Sequence, residues 1–414
     1  MTCSGRWSAW ALAGCIASGP ALGQLPDWSL AARQRLQTAG EPASKGLADE
    51  RRQQLVEGER LLSLGHTQAA RHTFDRAAMM LHAPDTEAAL VRTQMQAGEY
   101  RQALAFAAHA AGAHRREWPA GTALYVWLLK LGGQGLVAQR TLDEALALAP
   151  DDAALLAVQV QLAQPWPHAG AALQAPPLQL APYPVGLSVP AGARVAGTAL
   201  LLGSGTVALV PTALLRGGGP GQGRLWLRNG LGQTVAASEE DRDEALGLAL
   251  LRLAAPLPAA DLTLVVREPF GGAPASMVEF GIGDATAAWP LLRQGFFARL
   301  AASGGPRRLG IEAPAGPRGG PVFDASGRLA GIAVAGADGQ DTLAAAGALF
   351  ARFGPLLAGP LPQAGADAAP GLGGAEVDEV YERALRSVLQ VLLPASADRA
   401  EPVASRQPGQ AHSE

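Results

Sequence analysis

The side chains on which most protein chemistry depends are scarce in this chain. Its 414 residues contain two cysteines, Cys3 and Cys15, both within the first fifteen positions. Everything downstream is closed to disulfides, thiolate metal sites and a cysteine nucleophile. Lysine is as scarce: Lys45 and Lys130 are the two among 33 Lys+Arg. The seven histidines are His66, His72, His82, His109, His114, His168 and His412, and none falls between residues 185 and 357. Charged residues make up 17% of the chain and the net charge is −3. That balance offers no cationic footprint for nucleic acid or an anionic membrane. Long apolar runs are missing too. Thr198 to Leu215 is interrupted by Gly203, Gly205 and Pro211, which suits strands and a turn better than a membrane span. No cofactor and no metal are expected.

What is present begins with Met1 to Gly23, which reads as an export signal: Arg6, an apolar stretch from Trp7 to Ala17, and small residues at Ala21 and Gly23. A competing reading takes Leu12-Ala13-Gly14-Cys15 as a lipobox, with Cys15 lipidated at the mature N-terminus. Either places the protein in the periplasm or on the envelope of a bacterial cell.

Residues 49–163 are rich in Ala and Leu, poor in proline, and show apolar spacings of three and four, the period of helices. One pattern recurs. Gly65 is followed by Ala69-Ala70, Phe74 and Ala77; Gly98 by Ala103, Ala107 and Ala110; Gly133 by Ala138, Leu142, Ala145 and Pro150. The glycines stand 33 and 35 residues apart, with the same offsets to the alanines. This resembles the tetratricopeptide repeat, a helix-turn-helix of about 34 residues. It departs from the family by two extra residues before Pro84 and by lacking a proline after the second unit. The resemblance implies stacked helical hairpins with turns at Gly65, Gly98 and Gly133, and a curved surface for proteins or peptides. An ordinary Ala-rich bundle is the alternative.

Residues 164–184 carry six prolines and read as a semi-rigid linker. From Val185 the texture changes to short apolar runs separated by glycine, at 198–202, 206–210, 224–227, 248–253, 262–266 and 329–334, as in a β-barrel or sandwich. Three stretches resemble the trypsin-like serine proteases, especially their Deg-type branch, over residues 185–357. They are Gly197–Leu202 followed by Ala208–Leu215, then Gly247–Leu253, and finally Gly316-Pro317-Arg318-Gly319-Gly320-Pro321-Val322 with the hairpin Asp324–Ile332. The fold class implied is multidomain: all-α hairpins followed by an all-β, chymotrypsin-like double barrel.

The family's mechanism needs a serine, a histidine and a carboxylate. In this register their positions are Arg318, Ala213 and Gly247. Loss of the serine or the histidine alone costs such an enzyme about 10⁶ in kcat. The chain is therefore expected to be no enzyme, a pseudoprotease acting as a protein-binding scaffold or adaptor. Two alternatives stay open: an active serine endopeptidase using an unrecognised constellation, and a structural envelope lipoprotein. The resemblance also implies a relic oxyanion loop at Gly316, Arg318, Gly319 and Gly320, where backbone N–H groups and the Arg318 guanidinium would hold a carboxylate. Alternatively Arg318 points into solvent. Asp324 and Glu312 read as solvated acids, as does the run Glu239–Glu244. Residues 358–374 form a second linker. Residues 375–393 begin as an amphipathic helix and end as helix or strand; they dock on the barrel, mediate association, or form a plain terminal helix. Residues 394–414 are a polar tail.

Overall fold

The computed structural model describes residues 41–81, 83–163, 183–215, 225–259, 261–265, 267–300, 306–313, 319–336, 340–357 and 375–394. The export segment with Cys15, both linkers apart from residues 183 and 184, the tail beyond residue 394, Gly316 and Arg318 lie outside them.

Seven helices come first: α1 (Glu41–Ser63), α2 (Thr67–Met80), α3 (Pro84–Ala97), α4 (Tyr100–Ala113), α5 (Pro119–Leu131), α6 (Gly135–Leu146) and α7 (Ala153–Ala163). The first starts upstream of residue 49, where the compositional change had suggested a boundary. Pro84 and Pro119 open α3 and α5, where a missing N–H costs no hydrogen bond. The turns α1–α2, α3–α4 and α5–α6 share one geometry. Gly65, Gly98 and Gly133 are left-handed, at φ +78°, +75° and +77°. Each glycine N–H bonds the carbonyl three residues back (Leu62, Met95, Lys130). The next N–H bonds the carbonyl five back (His66 to Leu61, Glu99 to Gln94, Gln134 to Leu129), at 2.9–3.1 Å. Those two bonds close a helix end only around a residue tolerant of positive φ. Ala70, Phe74 and Ala77, then Ala103, Ala107 and Ala110, then Ala138, Leu142 and Ala145 are all buried, so the matched offsets mark the inward faces.

The strands form two closed, six-stranded antiparallel barrels. Before them, β1 (Val185–Gly186) pairs in parallel with Gln233 and Thr234. The first barrel runs β2 (Arg194–Leu202), β3 (Val207–Pro211), β6 (Leu248–Leu253), β5 (Gln233–Asp243), β4 (Leu225–Asn229) and β14 (Val388–Leu393), back to β2. The second runs β7 (Pro274–Glu279), β9 (Leu291–Phe297), β10 (Arg307–Ile311), β13 (Asp341–Ala345), β12 (Leu329–Ala335) and β11 (Pro321–Phe323). A short strand, β8 (Gly283–Asp284), pairs with β2. Helix α8 (Thr212–Leu215) follows β3, α9 (Ala346–Phe353) follows β13, and α10 (Val377–Ser387) leads into β14.

The first barrel is thus not contained in 185–357. Val388 pairs with Leu200, and Leu389 with both Ala199 and Asn229, so the C-terminal strand fills the gap between β2 and β4. Of the readings of 375–393, docking into the barrel is the one observed. The run 262–266 contributes no ladder, only a single parallel bridge from Leu264 to Leu329.

The β2, β3, β6 and β14 runs are apolar on both faces. Ala199, Leu201, Ala208, Val210, Ala249, Leu251, Leu389 and Val391 fill the barrel interior. Leu200, Leu202, Leu209, Leu248, Leu250, Val388 and Leu392 join a continuous core that extends to Tyr100, Trp127, Trp289 and Tyr381. Burial on both sides explains why these stretches do not alternate with polar residues.

The helices meet the barrels along the edge carrying the glycine turns. A Cβ on Gly65 would lie 3.0 Å from Val185 Cγ1, on Gly98 2.9 Å from Leu231 Cδ2, and on Gly133 2.9 Å from Leu292 Cδ2. Polar bonds reinforce the seam. Gln96 Nε2 donates to the Leu231 carbonyl at 3.1 Å, Tyr183 Oη donates to Glu59 at 2.9 Å, and Arg101 Nε donates to Glu382 at 2.7 Å. At its centre Tyr100 meets Tyr381 edge-on, ring centroids 4.6 Å apart, with Trp289 beside both. The Tyr381 hydroxyl donates to the Pro290 carbonyl.

Candidate functional site

The sequence register places three candidate positions on separate strand ends, and the barrels bring their surroundings together. Strand β3 ends at Pro211, opposite Leu248 of β6. The Thr212 N–H bonds the Gly247 carbonyl at 2.9 Å, which puts Ala213 and Gly247 side by side at one rim of the first barrel. Gly247 is left-handed, at φ +66°, and a Cβ there would meet nothing within 4 Å, so it borders open space.

The second barrel reaches this rim through Gly319 and Gly320. Gly319 has φ +118°, and a Cβ on it would fall 1.9 Å from the Thr198 carbonyl oxygen and 2.8 Å from Pro211 Cδ. Only glycine allows that approach. Its N–H bonds the Ala333 carbonyl at 2.9 Å. Thr198 locks the junction: its buried hydroxyl accepts from the Phe280 N–H at 2.8 Å and donates to the Phe280 carbonyl at 3.2 Å. The 319–320 strip therefore lies against the β3 end near Ala213 and Gly247. Gly316 and Arg318 lie outside the described residues.

Other candidate groups resolve into structural roles. Asp324 organises the β11–β12 turn, accepting from the Ser326 and Arg328 N–H groups at 2.9 Å and from Arg328 Nε at 3.1 Å. The Glu312 carbonyl accepts from Arg293. The acidic run is solvent-facing, as its composition suggested, but forms a strand rather than a loop. Residues 239–243 belong to β5, and each acid has an arginine: Glu239 and Glu244 bond Arg242, Glu240 bonds Arg252, and Asp241 and Asp243 bond Arg352. Arg352 sits on α9 and so clamps the second barrel to the first. Its hydrogen bond holds the Asp241 carboxyl below the usual range.

The four described histidines, His66, His72, His109 and His114, all belong to the helical region. Nε2 of His109 and of His114 face the buried Glu87 carboxylate at 3.7 and 3.6 Å. His168 lies outside the described residues. Lys130, however, lies on α5, which packs on β9 of the second barrel; burial first, and the Arg293 charge second, hold it below the ordinary lysine range. An inventory restricted to the barrel's own residues missed it, because helix docking rather than sequence proximity delivers it. Among the described residues, no group of three or more His, Cys, Asp or Glu is arranged to hold a metal, and no helix is long and apolar enough to cross a membrane.

No family model matches the sequence, and no curated protein matches it. The chain is similar to solved structures of the Rv3671c protease of M. tuberculosis. A serine-to-alanine mutant in an inactive form shares 13% identity at a TM-score of 0.29, covering 40% of this chain and 87% of that one. A second inactive form shares 13% at 0.28, covering 39% and 88%. An active form shares 14% at 0.28, covering 39% and 79%. The two closed barrels agree with the trypsin-like double-barrel architecture. The expectation that the chain is no enzyme is corrected: these structures are of a protease in active as well as inactive forms, and they give no positive sign of catalytic loss.

Proposed function

We propose that this chain is a protein-binding scaffold or adaptor of the bacterial cell envelope, in which tetratricopeptide-type hairpins are carried on a trypsin-like double barrel. The observation that carries the reading is the threefold glycine turn. Gly65, Gly98 and Gly133 end their helices with the same two hydrogen bonds, and each turn rests on a side chain of the strand region, Val185, Leu231 or Leu292. The turn edge of the array is thereby spent on docking, while apolar side chains such as Val56, Leu136 and Val160 stay exposed on the helices. Stacked helical hairpins of this type commonly hold proteins or peptides on their curved surface. Envelope location rests on the composition of residues 1–23, with Cys15 the residue that would bear a lipid.

Cross-linking of the full chain in envelope extract, read by mass spectrometry, tests the proposal. Partners cross-linked to residues 41–163 are expected. Absence of any partner enriched over a control protein would overturn it.

A further inference from the structure

Of the nine phenylalanines, seven are buried or half-buried, and Phe270 and Phe296 stand out at 77% and 50% exposure. Both lie at one end of the β7–β9 ladder. Phe296 faces Pro274 across it, and its ring covers Gly310 of β10, where a Cβ would fall 2.3 Å from the ring. Phe270 opens the tight turn into β7, closed by the Ala273 N–H on the Phe270 carbonyl at 3.2 Å. That turn rests on Arg299: a Cβ on Gly271 would lie 2.7 Å from Arg299 Cγ and 3.0 Å from its Cα. Buried Arg307 staples the same two segments from beneath, Nε donating to the Ala298 carbonyl at 2.8 Å and Nη1 to the Pro269 carbonyl. Leu300, next after Arg299, is 61% exposed. Phe270 and Leu300 therefore share one tip of the second barrel, with Phe296 four residues before Leu300.

The charge at this tip runs against that of the whole chain, whose net is −3. Arg267 and Arg299 flank it, both exposed, and no carboxylate among the described residues pairs with either. The acid beside Arg267, Glu268, faces the buried Arg307 at 3.9 Å instead. Side chains exposed to this degree project from the surface, whereas a peptide groove would cover them. Projecting apolar groups beside unpaired arginines match the layering of an anionic bilayer face, charged headgroups over an apolar boundary.

We propose that Phe270, Leu300 and Phe296, with Arg267 and Arg299, seat the second barrel on the anionic surface of a lipid bilayer. The apolar side chains enter the headgroup boundary, and the two guanidinium groups meet phosphate oxygens. Three apolar side chains make such an attachment reversible. It goes beyond the scaffold reading and needs no lipid on Cys15.

Co-sedimentation of the full chain with vesicles at low salt tests it. Vesicles of equal parts phosphatidylglycerol and phosphatidylcholine are compared with phosphatidylcholine alone. At least tenfold stronger partitioning onto the anionic vesicles is expected. Phe270→Ser with Leu300→Ser should weaken it at least fivefold, Arg267→Gln with Arg299→Gln should erase most of the anionic preference, and Val160→Ser on α7 should bind as wild type. A lipid on Cys15 would act alike in every variant, so the differences isolate the tip. No sedimentation with either vesicle, equal binding to both, or binding unchanged in the Phe270→Ser, Leu300→Ser chain would overturn the proposal. Should that chain fail to fold, amide exchange in the wild type answers instead. Anionic vesicles should slow exchange at residues 270–273, and unchanged rates reject the site. A protein cross-linked at residue 270 without vesicle binding would assign the tip to that partner and reject this inference alone. Vesicle binding without captured partners would reject the scaffold alone.

Discussion

Gly133, left-handed at the turn between α5 and α6, lies directly against Leu292 of the second barrel. The same residue that ends a helix also docks the array, so its substitution is penalised twice. An alanine there adopts the left-handed region at a cost of about 1–2 kcal/mol, and its methyl group presses on Leu292. Gly133→Ala should lower stability by roughly 1–2 kcal/mol or slightly more, read as a fall in the urea midpoint. An unchanged midpoint would mean that the seam is looser than described.

The fully buried Leu389 lies inside the first barrel. Leu389→Ala should cost about 2–5 kcal/mol, as for other large-to-small core changes. Val160→Ser, on the exposed side of α7, should stay within about 0.5 kcal/mol. Similar urea midpoints for the two variants would contradict the placement of β14.

Gly319 has even less freedom than Gly133, because a Cβ would run into backbone at Thr198 rather than a movable side chain. Gly319→Ala should displace the 319–320 strip from the first barrel. Limited proteolysis should then cut near residue 320 where the wild-type chain resists. Equal protection in both would place the strip elsewhere.

Asp378 opens α10, half-buried, with its carboxyl held above the ordinary range by burial first and by the Glu376 charge second. The folded chain therefore keeps this proton at pH values where the unfolded chain has released it. That contribution is present at acid pH and fades as pH rises through the raised value. Asp378→Asn keeps the acceptor for Gln134 and removes the charge. Its melting temperature should exceed the wild-type value at pH 7 and match it below about pH 3.8, the ordinary carboxyl value. A constant difference across that range would refute the assignment.

Lys130 loses its proton more readily than an ordinary lysine, whose pKa is about 10.4. Acetylation with limiting reagent, quantified by peptide mapping, should therefore reach half its maximal rate at a lower pH for Lys130 than for Lys45. Superimposed profiles would show that burial at the seam is slight.

Much of this architecture is legible in the sequence, for identifiable reasons. The helical turns are readable because a left-handed position demands glycine locally, and the alanine offsets follow from helix period. The rim positions Ala213 and Gly247 are readable from their own local stretches, Ala208–Leu215 and Gly247–Leu253, although β3 and β6, neighbours in the barrel, are separated along the chain by β4 and β5. Other features are not local. Nothing near Val388 reveals that it pairs with Leu200, and the arginines that turn residues 239–244 into a paired strand come partly from Arg252 and Arg352. Lys130 sits in an ordinary helical context, and its half-burial is not visible in the residues around it.

The closure of the first barrel by β14 also sets an order of events. A chain still being made, and lacking this segment, leaves the β2 and β4 edges open side by side, with apolar side chains facing water on both surfaces. Such an intermediate presents two unpaired strand edges, the kind of surface that pairs with other chains and that chaperones shield. Completion is signalled by the arrival of one short stretch, Val388–Leu393.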